Sequence, residues 1–168
     1  MSLYAILNAT TGSVLSLCVR TPDITHLSDN NMVLYDVSNM SVPGVRGPAP
    51  EDFKGSVVSP GVYQVVVLPY VTFQIQSVSA QSLTFKAFSD STTLNSAMVT
   101  ISSAQSGQQA LPPGAPPAQN RLIVFGDTIT ASQSDFGNSV LVNLIDPNFR
   151  SASFDNLNLL AAISVILQ

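Results

Sequence analysis

Hydrophobic and polar positions alternate with strand-like period along several stretches of the chain. Leu15, Leu17 and Val19 share one parity against Ser16 and Cys18. Val71, Phe73 and Ile75 alternate with Thr72, Gln74 and Gln76, and Leu83, Phe85 and Ala87 with Thr84 and Lys86. Successive strand residues point to opposite faces, so these stretches predict half-buried strands. Residues 71–79 and 82–88 are spaced to form a hairpin across Ala80-Gln81, without the favoured Asn-Gly or Asp-Gly pair. Three runs are apolar throughout: Val65 to Leu68, Leu122 to Phe125 and Val140 to Val142. Such runs predict strands covered on both faces. Further strands are expected at 2–7, 31–37, 97–103 and 158–167. Leu-Leu-Ala-Ala within Leu159–Leu167 also suits a helix, but Ser164-Val165-Ile166-Leu167 returns to strand chemistry, and a strand is the favoured reading.

About eight to ten strands in one domain are best buried between two packed sheets or inside a closed barrel. The expected class is therefore all-β: an antiparallel β-sandwich, or a jelly-roll or β-tulip-like barrel. A single domain over residues 1–168 is expected, with two long Pro-rich loops. The first, at about 38–61, carries Pro43, Gly44, Gly47, Pro48, Pro50, Gly55, Pro60 and Gly61. The second, at about 103–120, contains Leu111-Pro112-Pro113-Gly114-Ala115-Pro116-Pro117. Proline at that density favours extended backbone without internal hydrogen bonds. The part of the chain beyond Asn120 is too short for a comfortable core of its own, so the second loop reads as an arm within one domain.

Composition sharpens this picture. Hydrophobic residues make up 45% of the 168 residues and charged residues 10%, against a usual charged share of about 25%. There is one glutamate, Glu51, and two lysines, Lys54 and Lys86, so the strong charged helix formers are scarce. A chain of this length buries roughly two thirds of its unfolded surface. With so few charges, the remaining surface is expected to be covered in an assembly or coated with Ser, Thr, Asn and Gln.

The formal net charge is −4, and the basic residues Arg20, Arg46, Lys54, Lys86, Arg121 and Arg150 are scattered. Nucleic-acid affinity needs clustered cations to neutralise adjacent phosphates, so no nucleic-acid partner is expected. No apolar run reaches the length of a membrane span, and the first residues lack the basic and apolar regions of a secretory signal. Synthesis in a host cytoplasm and no membrane partner are expected.

Candidate chemistry is sparse. His26, in Asp23-Ile24-Thr25-His26-Leu27-Ser28-Asp29, is the single histidine, and a Ser-His-Asp arrangement around it would need spatial neighbours that sequence cannot supply. No Gly-x-Ser-x-Gly elbow accompanies it, and a surface or loop histidine is expected. Cys18 is the one cysteine, which excludes an intrachain disulfide and reads as a small buried hydrophobe. One His and one Cys do not make a zinc site. Glu51-Asp52 is the one adjacent acidic pair and reads as a solvated loop. Phosphate-binding glycine motifs are missing from the sequence. The expectation is a non-enzyme with no cofactor and no metal.

What remains is interaction chemistry. The Pro-rich arm, through Pro112, Pro113, Pro116 and Pro117, can lie on a neighbour at low ordering cost. The last segment, through Ile163, Val165 and Leu167, is either a core strand or one donated to a neighbour's sheet edge, with the core reading favoured. These seven are the candidate partner-binding residues.

Ser/Thr/Asn/Gln-rich strands, low charge, single-domain length and no catalytic constellation together resemble the capsid decoration or cement proteins of tailed bacteriophages. The resemblance implies a non-catalytic virion protein on the outer capsid surface, often trimeric, that clamps neighbouring major capsid subunits. Other expectations of the same kind are a head–tail connector, tail or fibre-base protein. A glycan- or receptor-binding β module is a further alternative, weakened by the lack of tryptophan.

Overall fold

The structure is a computed structural model that describes residues 2–42, 47–103, 118–151 and 159–168. It is all-β, with two short helices among the described residues. The sequence predicts one domain, whereas the chain divides into two compact units, residues 1–68 and 69–168. Each unit has its own hydrophobic cluster. The division falls at Leu68-Pro69, between two strands, and not in either Pro-rich loop.

In the first unit, β1 (Tyr4–Asn8) is the middle strand of an antiparallel sheet. It is flanked by β2 (Val14–Cys18) and β3 (Met32–Asp36), with α1 (Ile24–Asp29) between them in sequence. A 3-10 turn at Pro50–Asp52 leads into β4 (Phe53–Ser59), which pairs antiparallel with β5 (Val62–Val67). Ala5, Leu7, Val37, Phe53 and Val65 form the buried cluster, with Tyr63 and Val67 packed against it.

Strand β4 lies inside the stretch where the sequence predicts a long loop, at 38–61. The Pro and Gly residues there serve particular local needs. Pro60-Gly61 forms the hairpin turn, with Gly61 at φ 76°, a left-handed conformation that suits glycine. Gly55 sits within the strand, where the chain passes close to other backbone.

The second unit begins with β6 (Tyr70–Val78) and β7 (Ser82–Ser89), the hairpin expected across Ala80-Gln81. Its turn uses serine chemistry: the Ser79 hydroxyl accepts the N–H groups of Gln81 and Ser82 at 3.3 and 3.2 Å. There follow β8 (Ser96–Ser103), β9 (Gln119–Val124), β10 (Ile129–Ser132) and the short α2 (Gln133–Phe136). The unit ends with β11 (Ser139–Leu144), β12 (Arg150–Ser151) and β13 (Ile163–Ile166).

The strands form two four-stranded sheets, β10-β7-β6-β12 and β13-β11-β8-β9. Inward residues of both meet in one core, including Phe73, Phe85 and Leu83 from the first and Val99, Ile101, Val142 and Ile163 from the second. The unit is a β-sandwich. Its first strand lies beside its second and its second beside its fifth, while the third, sixth and eighth are neighbours in the other sheet. This is the A-B-E and C-F-G order of immunoglobulin-type Greek-key sandwiches, with β9 in the place of C′. The two-residue β12 is added parallel to β6.

Two of the three apolar runs are not covered on both faces, while in the third Val140 and Val142 are buried and Leu141 is half-buried. Ile123 is buried, but its neighbours Leu122 and Val124 are exposed; Val65 is buried and Val66 is exposed. Each sheet has one face in a core, so parity within the run decides burial. Residues 104–117 of the second Pro-rich loop lie outside the described residues.

Candidate functional site

The sequence-predicted residues do not converge. His26 is exposed on α1, a helix where a surface or loop position is expected. Its Nδ1 is 3.5 Å from Asn30 Nδ2. The neighbouring Asp23 acts as a helix cap, its carboxylate accepting the Thr25 N–H at 2.9 Å. Cys18 is half-buried at the end of β2, less covered than the small buried hydrophobe expected. Among the described residues, no three His, Cys, Asp or Glu side chains come together as a metal site requires. No helix among them is long and apolar enough to cross a membrane.

Of the acidic pair, Glu51 is exposed, but Asp52 is fully buried, against the expectation of a solvated loop. Its Oδ2 accepts the Ala49 N–H at 2.9 Å, and its backbone carbonyl accepts the Leu68 N–H at 2.8 Å. The carboxylate thus ties the 3-10 turn, and the backbone carbonyl ties that turn to the end of β5. The Pro-Glu-Asp order carries the signal, since a proline-led turn followed by an acid three residues after the cap matches a capping pattern.

Pro112, Pro113, Pro116 and Pro117 lie outside the described residues. Ile163 and Leu167 belong to the buried core of the second unit, and Val165 packs against it. The last segment therefore takes the core-strand place, paired antiparallel with β11. Its alternate residue Ile166 points away from that core and is 62% exposed. Among the described residues β13 ends its sheet, so the segment also presents an edge there.

A surface that sequence reasoning missed lies on the outer face of the same sheet. Val99 and Ala97 point into the core, so Met98 between them points out. Met98 is paired with Leu122, which is 61% exposed. On its other side the Ile145 N–H donates to the Met98 carbonyl at 3.1 Å, which sets exposed Ile145 beside it. Leu122, Met98 and Ile145 thus form one apolar row across β9, β8 and the end of β11, with exposed Val124 two residues along β9. The next row is polar: Thr100 lies between Asn120 and Asn143, and its hydroxyl donates to Asn120 Oδ1 at 2.9 Å. Asp146 borders the apolar row, its Oδ2 accepting the Met98 N–H at 3.4 Å. The arrangement is a small apolar strip bordered by neutral polar groups and by the Asp146 carboxylate, the anatomy of a modest protein contact.

At the far edge of the sandwich, Arg150 is buried with its guanidinium carbon 3.8 Å from the centre of the Tyr70 ring. This cation–π contact fastens β12 to β6. Asp90 accepts the Tyr70 N–H at 2.7 Å. Both contacts hold the start of the second unit in place.

In the first unit, an apolar groove of about 420 Å³ runs between α1 and β3, lined by Ile24, Leu27, Ser28, Met32, Val33 and Leu34. Ser28 is the one lining residue with a polar side chain, and its hydroxyl donates to the Thr25 carbonyl at 2.9 Å.

No family model, curated protein or solved structure matches the chain.

Proposed function

We propose that the chain is a non-catalytic virion structural protein of the capsid decoration or cement type, which stabilises an outer capsid through contacts between folded subunits. The apolar row of Leu122, Met98 and Ile145 on an open sheet face carries this reading. A sheet face with an apolar centre and a polar rim suits docking on another folded protein, where shape and apolar burial supply the affinity. The low charge of the chain, 10% of residues, supports the same use. Neutral surfaces meet without the desolvation penalty that charged pairs incur. In this reading the partners are major capsid subunits and further copies of the chain, and the chain resides on the virion surface.

Copy number tests the proposal. Quantitative mass spectrometry of virus particles purified from the source culture should find the chain at a fixed ratio to the major capsid protein. Electron microscopy should place it on the outer surface. Its absence from particles would overturn the reading. A few copies per particle would replace it with a connector, tail or fibre-base role. Saturable sugar binding by chain that does not bind particles would favour a glycan-binding module.

A further inference from the structure

We infer that the outer edge of β5 is a self-association surface, on which a second copy of the chain adds its own β5 antiparallel across a two-fold axis at Gln64. Among the described residues the β4–β5 sheet has two strands only.

The two edges of this ribbon differ. On the β4 side, Lys54 is exposed and a bulge interrupts the register between Val57 and Ser59. Charge and bulge are devices that keep a sheet edge from pairing. Strand β5, Val62-Tyr63-Gln64-Val65-Val66-Val67, has no charge, no proline and no bulge. No charged side chain occurs anywhere from Gly55 to Pro69.

A second copy is the partner that this strand fits. With the axis at Gln64, each Gln64 faces its own mate and the two side-chain amides can exchange hydrogen bonds. Val62 then faces Val66 of the second copy, and Tyr63 faces Val65. Val62, Gln64 and Val66 are exposed and share the outer face, so that face gains two Val–Val pairs. Tyr63 and Val65 share the inner face, where the pairing is aromatic with β-branched. The contact is isologous and closes on itself. Each chain carries a net charge of −4, yet none of it lies on this strand, so like charges do not oppose one another there.

This inference is independent of the decoration reading. A monomer found on virions would overturn the pairing alone, and a dimer missing from virions would overturn the decoration reading alone.

Sedimentation velocity of the full chain from about 1 to about 100 µM should show mass rising to two chains. Gln64→Lys places two ammonium groups face to face on the axis and should weaken association at least about tenfold, with an unchanged circular dichroism spectrum. In a Cys18→Ser background, Gln64→Cys should oxidise to a disulfide-linked dimer. Facing residues of an antiparallel pair lie about 5 Å apart, within disulfide reach. Ser56→Cys in the same background should not cross-link, because Ser56 sits opposite Gln64 on the far strand. A monomer over the whole range would overturn the inference. So would a three-chain mass, or a dimer untouched by Gln64→Lys that gives no Gln64→Cys cross-link.

Discussion

Gly12 and Gly55 meet backbone to backbone. Gly12 lies in the turn between β1 and β2, at φ 74°, and a Cβ placed on it would fall 2.5 Å from the Ser56 carbonyl carbon. A Cβ on Gly55 would overlap the Gly12 carbonyl oxygen. The two glycines allow the β1–β2 turn to lie directly on β4. The Tyr63 hydroxyl stitches the same hairpin to that turn, donating to the Ala9 carbonyl at 3.0 Å. The position of the β4–β5 hairpin, and with it the presentation of β5, depends on this contact.

Gly12→Ala and Gly55→Ala should each destabilise the protein by about 1–3 kcal/mol, because neither backbone can yield without moving the hairpin. Gly12→Ala adds the strain of a left-handed alanine. Gly47→Ala, where a Cβ would meet nothing within 4 Å, should stay within about 0.5 kcal/mol of wild type. Urea denaturation of the three variants checks the order.

Phe73 and Phe85 are fully buried and meet edge to face with centroids 6.0 Å apart. Phe73→Ala should cost about 3–5 kcal/mol through lost burial and a residual cavity. Phe88→Ala removes a ring of the same size from a partly exposed position in the same sheet and should cost less. The difference in denaturation midpoint measures how far the sandwich core alone accounts for the loss.

The carboxyl of Asp36 is held below the ordinary carboxylate range. The main cause is the hydrogen bond from the Ser38 hydroxyl, and the second is the bond from the Ser38 N–H; slight desolvation opposes both. A depressed folded value means the stabilisation is complete above the ordinary value of about 3.9 and is lost as pH falls through the folded value. Ser38→Ala should raise the Asp36 pKa in an NMR titration. It should also flatten the pH dependence of stability across that window. The same hydroxyl accepts the Leu3 N–H at 2.9 Å, so the variant should also loosen the start of β1.

Leu122→Asn and Ile145→Asn alter exposed side chains of the outer row and should change stability by less than about 0.5 kcal/mol. Under the decoration reading, the double variant should lose most of its occupancy on particles, read by gel densitometry of purified virions. Full occupancy would remove this face from the capsid contact.

The sequence by itself determined the all-β class, the β6–β7 hairpin and the inward parity of Phe73, Leu83 and Phe85, because strand geometry turns every second side chain to the same face. It also determined that Ile163 and Leu167 share one side of the last segment. The Val65–Leu68 and Leu122–Phe125 runs carry no parity signal, and only packing decided that Val66, Leu122 and Val124 face outward. A sheet with one covered face buries alternate residues whatever their hydrophobicity. Strand β4 was hidden because glycine and proline usually mark loops, whereas Gly55 serves a close backbone approach and Pro60-Gly61 a turn. The division at Leu68-Pro69 and the burial of Asp52 likewise follow from contacts between residues distant in sequence. The outer row of Leu122, Met98 and Ile145 joins three separate segments, and strand register alone brings them side by side.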